Sequence, residues 1–110
     1  MALFMYQVAY TPESWAVQLK KPKSRMETVG RSLCEAAGGK FVGAWYCFGE
    51  YDGILIADMP DAESMSALAL SVAAGGAARA GKTTALMTGA QAVAAMTKAA
   101  TLAKSYRPAR

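Results

Sequence analysis

Apolar side chains occupy both parities of the first segment of the chain. Over residues 2–10, Leu3, Met5 and Ala9 fall on one face, and Phe4, Tyr6, Val8 and Tyr10 on the other. Such a run, apolar at successive positions and bounded by a turn signal, predicts a strand buried on both sides. Thr11, Pro12 and Glu13 then supply an N-cap, a proline at the first helical position and an early acid, which start a short helix ended by Lys20, Lys21 and Pro22. Ser24 can cap the next helix, in which Met26, Val29, Leu33 and Ala36 recur at three- and four-residue spacing. Gly38 and Gly39 stop it, because a helix C-terminus commonly needs a left-handed residue.

A second strand is predicted from Lys40 to Phe48 and a third from Gly53 to Met59, joined as a hairpin through Gly49, Glu50, Tyr51 and Asp52. In the second, Phe41, Trp45 and Cys47 oppose Val42, Ala44, Tyr46 and Phe48. In the third, Ile54 and Ile56 oppose Leu55, Ala57 and Met59. Pro60 and Asp61 open another helix, with Met65, Leu68, Ala69 and Val72 on one stripe, and Gly75 and Gly76 break it. Residues 78–87 form a fourth strand, weakened by Arg79, Gly81 and Lys82. Thr88 and Gln91 have the spacing of a capping box, opening an alanine-rich helix that runs to about Lys104.

The order β-α-β-β-α-β plus a C-terminal helix is an α+β, ferredoxin-like arrangement, with helices on one face of an antiparallel sheet. Helices can cover one face only. An exposed sheet face should be polar at alternate positions, and this one is apolar, so the sequence predicts a second sheet against it. A two-fold copy of the same chain is the simplest source. Residues 1–104 read as one domain and 105–110 as a basic tail.

Composition narrows the function classes. The 110 residues are 54% hydrophobic and 18% charged, which argues for a packed core. No run approaches the length of a membrane span, and the N-terminus lacks the charged region of a signal peptide, so a cytoplasmic setting without membrane association is expected. Histidine is absent, which removes the commonest general base and metal ligand; no metal or cofactor is expected. Cys34 and Cys47 lie in apolar segments without metal spacing and read as buried free thiols. Residues 64–110 hold six basic side chains and no acidic one, yet these are sparse, lack interleaved aromatics and fall largely at a helix C-terminus. Nucleic acid is therefore not the expected partner.

From Gly38, Gly39 and Lys40, through the aromatic strand Gly43 to Phe48, to the turn Gly49, Glu50, Tyr51 and Asp52, the chain resembles the GYD family. Ile54 to Asp58 and the helix start at Met59, Pro60 and Asp61 follow in the same order, and the likeness spans roughly residues 3–100. The resemblance implies a protomer of the dimeric α/β-barrel group, two ferredoxin-like sheets packed face to face. It implies no activity.

Five residues stand out as ligand-binding candidates: Tyr6, Trp45, Tyr46, Tyr51 and Asp52. With Tyr10, the first three concentrate aromatics on two strands and can line a cavity for a flat organic molecule; the same aromatics also serve interface packing. Tyr51 and Asp52 can present a phenol and a carboxylate at a pocket rim, or Asp52 can bond to nearby turn amides. Gly76 to Thr83 matches the nucleotide-binding P-loop pattern letter for letter, but it follows a helix and leads into a strand, the reverse of the required context. Asp58, beside Pro60, reads as exposed or capping, and the Lys20 to Arg25 cluster as a solvated loop.

No acid–base–nucleophile constellation is present in the sequence. The leading reading is a small-molecule-binding or accessory homodimer using the barrel between sheet faces. The alternative is a cofactor-independent enzyme of the oxygenase or isomerase type drawing on Asp52, Tyr51, Tyr46 or Arg79. A purely structural role predicts a filled barrel.

Overall fold

The computed structural model describes residues 1–109. Its elements are β1 (Ala2–Tyr10), α1 (Pro12–Lys20), α2 (Arg25–Ala36), β2 (Lys40–Tyr46), β3 (Gly53–Met59), α3 (Ala62–Ala74), β4 (Ala78–Leu86), α4 (Gly89–Leu102) and a 3-10 turn at Ala103–Ser105. The boundaries have local causes. Thr11 accepts the Ser14 amide at the start of α1, Asp61 accepts the Ser64 amide at the start of α3, and Thr88 and Gln91 close a full capping box on α4. Gly38, at φ 84°, lies just past the end of α2 in the left-handed region.

The four strands pair antiparallel in the order β2-β3-β1-β4, and the helices and sheet form the ferredoxin-like α+β fold. The sheet is open and does not close into a barrel within one chain. Tyr6, Val8 and Tyr10 from β1 and Leu55, Ala57 and Met59 from β3 form the buried face. Met26 and Cys34 of α2 and Met65 and Leu68 of α3 pack onto it. Met59, Met65 and Cys34 are fully enclosed, and truncating either methionine to alanine costs about 2–5 kcal/mol.

Three details depart from the sequence reading. A bulge between Phe41 and Gly43 shifts the β2 register, so Phe41 pairs with Ala57 and Ala44 with Leu55. Phe41 therefore packs against the core, with Arg31 over its ring at 4.5 Å, and does not share a face with Trp45. Ser24 makes no side-chain cap; the Tyr46 hydroxyl accepts the Arg25 and Met26 amides in its place, at 3.1 and 3.2 Å. Cys47 is exposed, because β2 ends at Tyr46, whereas Cys34 is buried; both are free thiols.

The sheet face away from the helices carries Leu3, Met5, Trp45, Ile54, Ile56 and Leu86, none of them fully buried in one protomer. Trp45 remains 55% exposed. α4 stands apart. It buries no residue, leaves Val93, Met96 and Leu102 exposed, and makes its one extended contact with the 3-10 turn that follows it. The chain is correspondingly elongated, with a radius of gyration of 17.4 Å against about 13 Å for a compact domain near this size. Among the described residues no helix is long and apolar enough to cross a membrane.

Candidate functional site

Two places gather polar and aromatic groups. The first is a corner around Asp52, where the β2–β3 hairpin meets the end of β1. Asp52 is 7% exposed, the one buried polar residue among those described. Its main-chain N–H donates to the Val8 carbonyl at 2.9 Å, and its carbonyl accepts the Cys47 amide at 3.0 Å. One carboxylate oxygen, Oδ2, accepts the Tyr10 N–H at 2.9 Å and the Trp15 indole N–H at 3.3 Å. A buried carboxylate needs such donors, since its desolvation is otherwise uncompensated. The rings of Tyr10, Trp15, Phe48 and Tyr46 continue from it in a chain with centroid separations of 5.3, 5.9 and 5.6 Å. Phe48 takes φ 43°, a left-handed conformation costly for a bulky residue, and its ring stacks on Tyr46 and tilts onto Trp15.

The second place is a cleft of about 230 Å³ between the helix layer and the sheet. Helices α2 and α3 each pack on the sheet, and the space between them leaves the centre of the sheet covered only in part. Tyr6, Val8, Tyr10 and Leu55 form the floor, α2 contributes Arg25, Met26, Val29, Gly30 and Leu33, and α3 contributes Leu68, Ser71 and Val72. The Tyr10 hydroxyl donates to the Met26 sulfur at 3.2 Å. Burial raises the Tyr6 and Tyr10 phenols above their ordinary value of 10.0, so both are neutral donors near neutrality. The Tyr6 hydroxyl reaches β4 at Gly81, where a Cβ would sit 2.6 Å from it; a side chain there would displace the ring from the cleft.

The five candidate residues do not converge. Tyr6 lies in the floor of the cleft, and Trp45 on the opposite, uncovered face of the sheet. Tyr46 caps α2 and edges a surface groove with Trp15 and Phe48. Tyr51 is half-buried in the hairpin, its carbonyl accepting from the Cys47 thiol at 3.2 Å, and Asp52 is enclosed in the corner. The carboxylate bonds of Asp52 reach across the fold to Tyr10 and Trp15, not to amides of its own turn. The P-loop-like stretch is spent in β4, where Gly81, Lys82 and Thr83 pair with Val8, Gln7 and Tyr6, so those residues form no phosphate-cradling loop. The sequence gives Trp15 no role, Arg25 a place in a solvated loop and Phe48 a strand position, whereas the structure brings all three to these sites. Only the bulge carried a signal, the isolated Gly43 within a strand.

Comparison with known proteins agrees with the fold. One solved structure, titled the crystal structure of MtbAldR, superposes with a TM-score of 0.59 at 17% identity, covering 79% of this chain and 52% of that one. The chain thus spans about half the length of that protein, and the likeness concerns the fold alone. No curated protein matches significantly. The sequence model of the GYD domain matches residues 4–96. Those residues include both strands of the hairpin, the Asp52 corner and both walls of the cleft, and the chain belongs to the GYD domain family.

Proposed function

We propose that this protein is a small-molecule-binding or accessory domain that acts as a homodimer, two copies meeting through their uncovered sheet faces. The observation that carries the reading is the pairing of an apolar, unshielded sheet face with a separate, partly enclosed cleft on the helix side. The face supplies an isologous surface: Trp45, Ile54 and Ile56 lie where a two-fold copy would bury them. The cleft supplies a concave apolar volume with a few polar groups at its edge, the usual composition of a ligand site. Its position on the helix side moves the ligand away from the space between sheets.

Binding is preferred to cofactor-independent catalysis because, among the described residues, no nucleophile is hydrogen-bonded to a base in the cleft. The Asp52 oxygen that faces the aromatic corner is already engaged by Tyr10 and Trp15. The two free thiols are in keeping with a cytoplasmic setting.

Native mass spectrometry of protein purified gently from its own cells tests the reading. Even multiples of 11.5 kDa with extra co-purifying mass are expected. A clean, ligand-free monomer would overturn it.

A further inference from the structure

We propose that the α2–α3 cleft is a site for a small apolar carboxylic acid, its ring or branched chain on the Val8 and Leu55 floor and its carboxylate at the Arg25 and Tyr10 end. This rests on the small-molecule-binding reading above and not on the dimer.

The cleft is mostly apolar. Val8, Val29, Leu33, Leu55, Leu68 and Val72 form its body, and Tyr6, Tyr10, Arg25 and Ser71 are the polar residues of its lining. Met26 follows Arg25 in the first turn of α2, and the Tyr10 hydroxyl rests on the Met26 sulfur, which fixes both donors to the same end. Neither has a strong partner of its own. A thioether is a weak acceptor, which a carboxylate oxygen would displace. The ion pair among the described residues is Arg31 with Glu27, so the Arg25 guanidinium has no carboxylate partner among them. An arginine fork together with a phenol is a donor set suited to one carboxylate.

The same geometry disfavours a phosphate. The Arg25 and Met26 amides at the start of α2, which would otherwise assist a dianion, are already taken by the Tyr46 hydroxyl. Size sets the body of the ligand. A dry cavity of about 150 Å³ holds a benzene ring, so 230 Å³ is matched by one ring or a branched chain with a short acidic arm.

Titration of the full-length protein with phenylacetate, isovalerate and the neutral phenylacetamide, followed by calorimetry and by amide chemical shifts, tests the proposal. The acids should bind saturably, with phenylacetate favoured over its amide by about tenfold, the scale of a charge-assisted hydrogen bond. Shifts should centre on Val29, Leu33, Leu68 and Val72. Arg25→Gln, at an exposed position, should bring acid and amide to near-equal affinity with unchanged thermal unfolding, and Val72→Phe should block both by filling the cleft. Equal affinity for acid and amide in the unaltered protein would overturn the carboxylate assignment while leaving a small-molecule site. Shifts centred on Trp45 and Ile56, or no saturable binding of either acid, would overturn the site itself.

Discussion

The Oδ2 atom of Asp52 accepts the main-chain N–H of Tyr10 at 2.9 Å across 42 residues of sequence. The reason is in the ladder. β3 begins at Gly53, opposite Val8, so no β3 main-chain group remains to receive the Tyr10 amide, and a side chain replaces the missing strand position. The same oxygen receives the Trp15 indole and so draws α1 onto the hairpin corner. Asp52→Ala leaves a buried amide without an acceptor and should cost about 1–3 kcal/mol. Asp52→Asn keeps one acceptor oxygen and should cost less. Chemical denaturation of the two variants checks the order; equal losses would show that the hydrogen bonds are not what Asp52 contributes.

Tyr46 plays a role usually left to serine or aspartate. Its hydroxyl satisfies two of the amides that open α2, and it arrives from the last residue of β2. Tyr46→Phe retains the ring and the stack on Phe48 but removes the acceptor. A loss of about 0.5–2 kcal/mol is expected, the range for losing a helix N-cap. Hydrogen exchange should rise selectively in the first turn of α2, and an unchanged exchange pattern there would count against the cap.

How far these contacts can be read from sequence depends on their range. The caps of α1, α3 and α4 are decided within four residues, and Thr11, Asp61 and Thr88 announce them. The core stripe of β1 and β3 follows from alternation, because Tyr6, Val8, Leu55 and Ala57 repeat at the strand period. Tyr46 capping α2 joins positions 20 and 21 apart, and no local pattern competes with Ser24 for that assignment. The strand periodicity of β2 fails at Phe41 because one inserted residue inverts the parity before it; Gly43 marks the place without saying which face wins. The cleft was not legible at all, since it arises from a gap between α2 and α3 and not from any one segment.

Trp45 reports on the uncovered face. It is 55% exposed, its ring lying over Gly43, so a charge there costs the isolated protomer little but would set like charges against one another across the two-fold axis of the proposed dimer. Trp45→Lys is expected to run as an 11.5 kDa species in sedimentation while keeping the far-ultraviolet spectrum of the parent. A variant that still dimerised would move the interface elsewhere.

Alkaline pH should weaken the fold. Burial raises the Tyr6 and Tyr10 phenols above 10.0 and the Cys34 thiol above 9.0. The unfolded chain therefore gives up these protons first, and the neutral forms favour folding. By linkage the stability they contribute is complete below pH 9.0 and declines as pH rises through 9.0 and beyond 10.0. Denaturation midpoints measured on either side of that range should fall with pH, and Tyr10→Phe should flatten the decline. A midpoint insensitive to pH there would mean the phenols are not desolvated.

α4 buries no residue in the protomer, so packing there contributes little to its stability. A helix of 14 residues with so little packing is marginal in water, because nucleation is costly and packing supplies most of the stability of natural helices. Its capping box helps only the first turn. In a monomeric Trp45→Lys background, α4 amides should therefore exchange as quickly as those of a peptide, while β1 and β3, at the centre of the sheet, stay protected. A chain ending at Met87 in that background should unfold at the same midpoint, since α4 buries no residue. A lowered midpoint would mean that the helix packs on its own domain in solution.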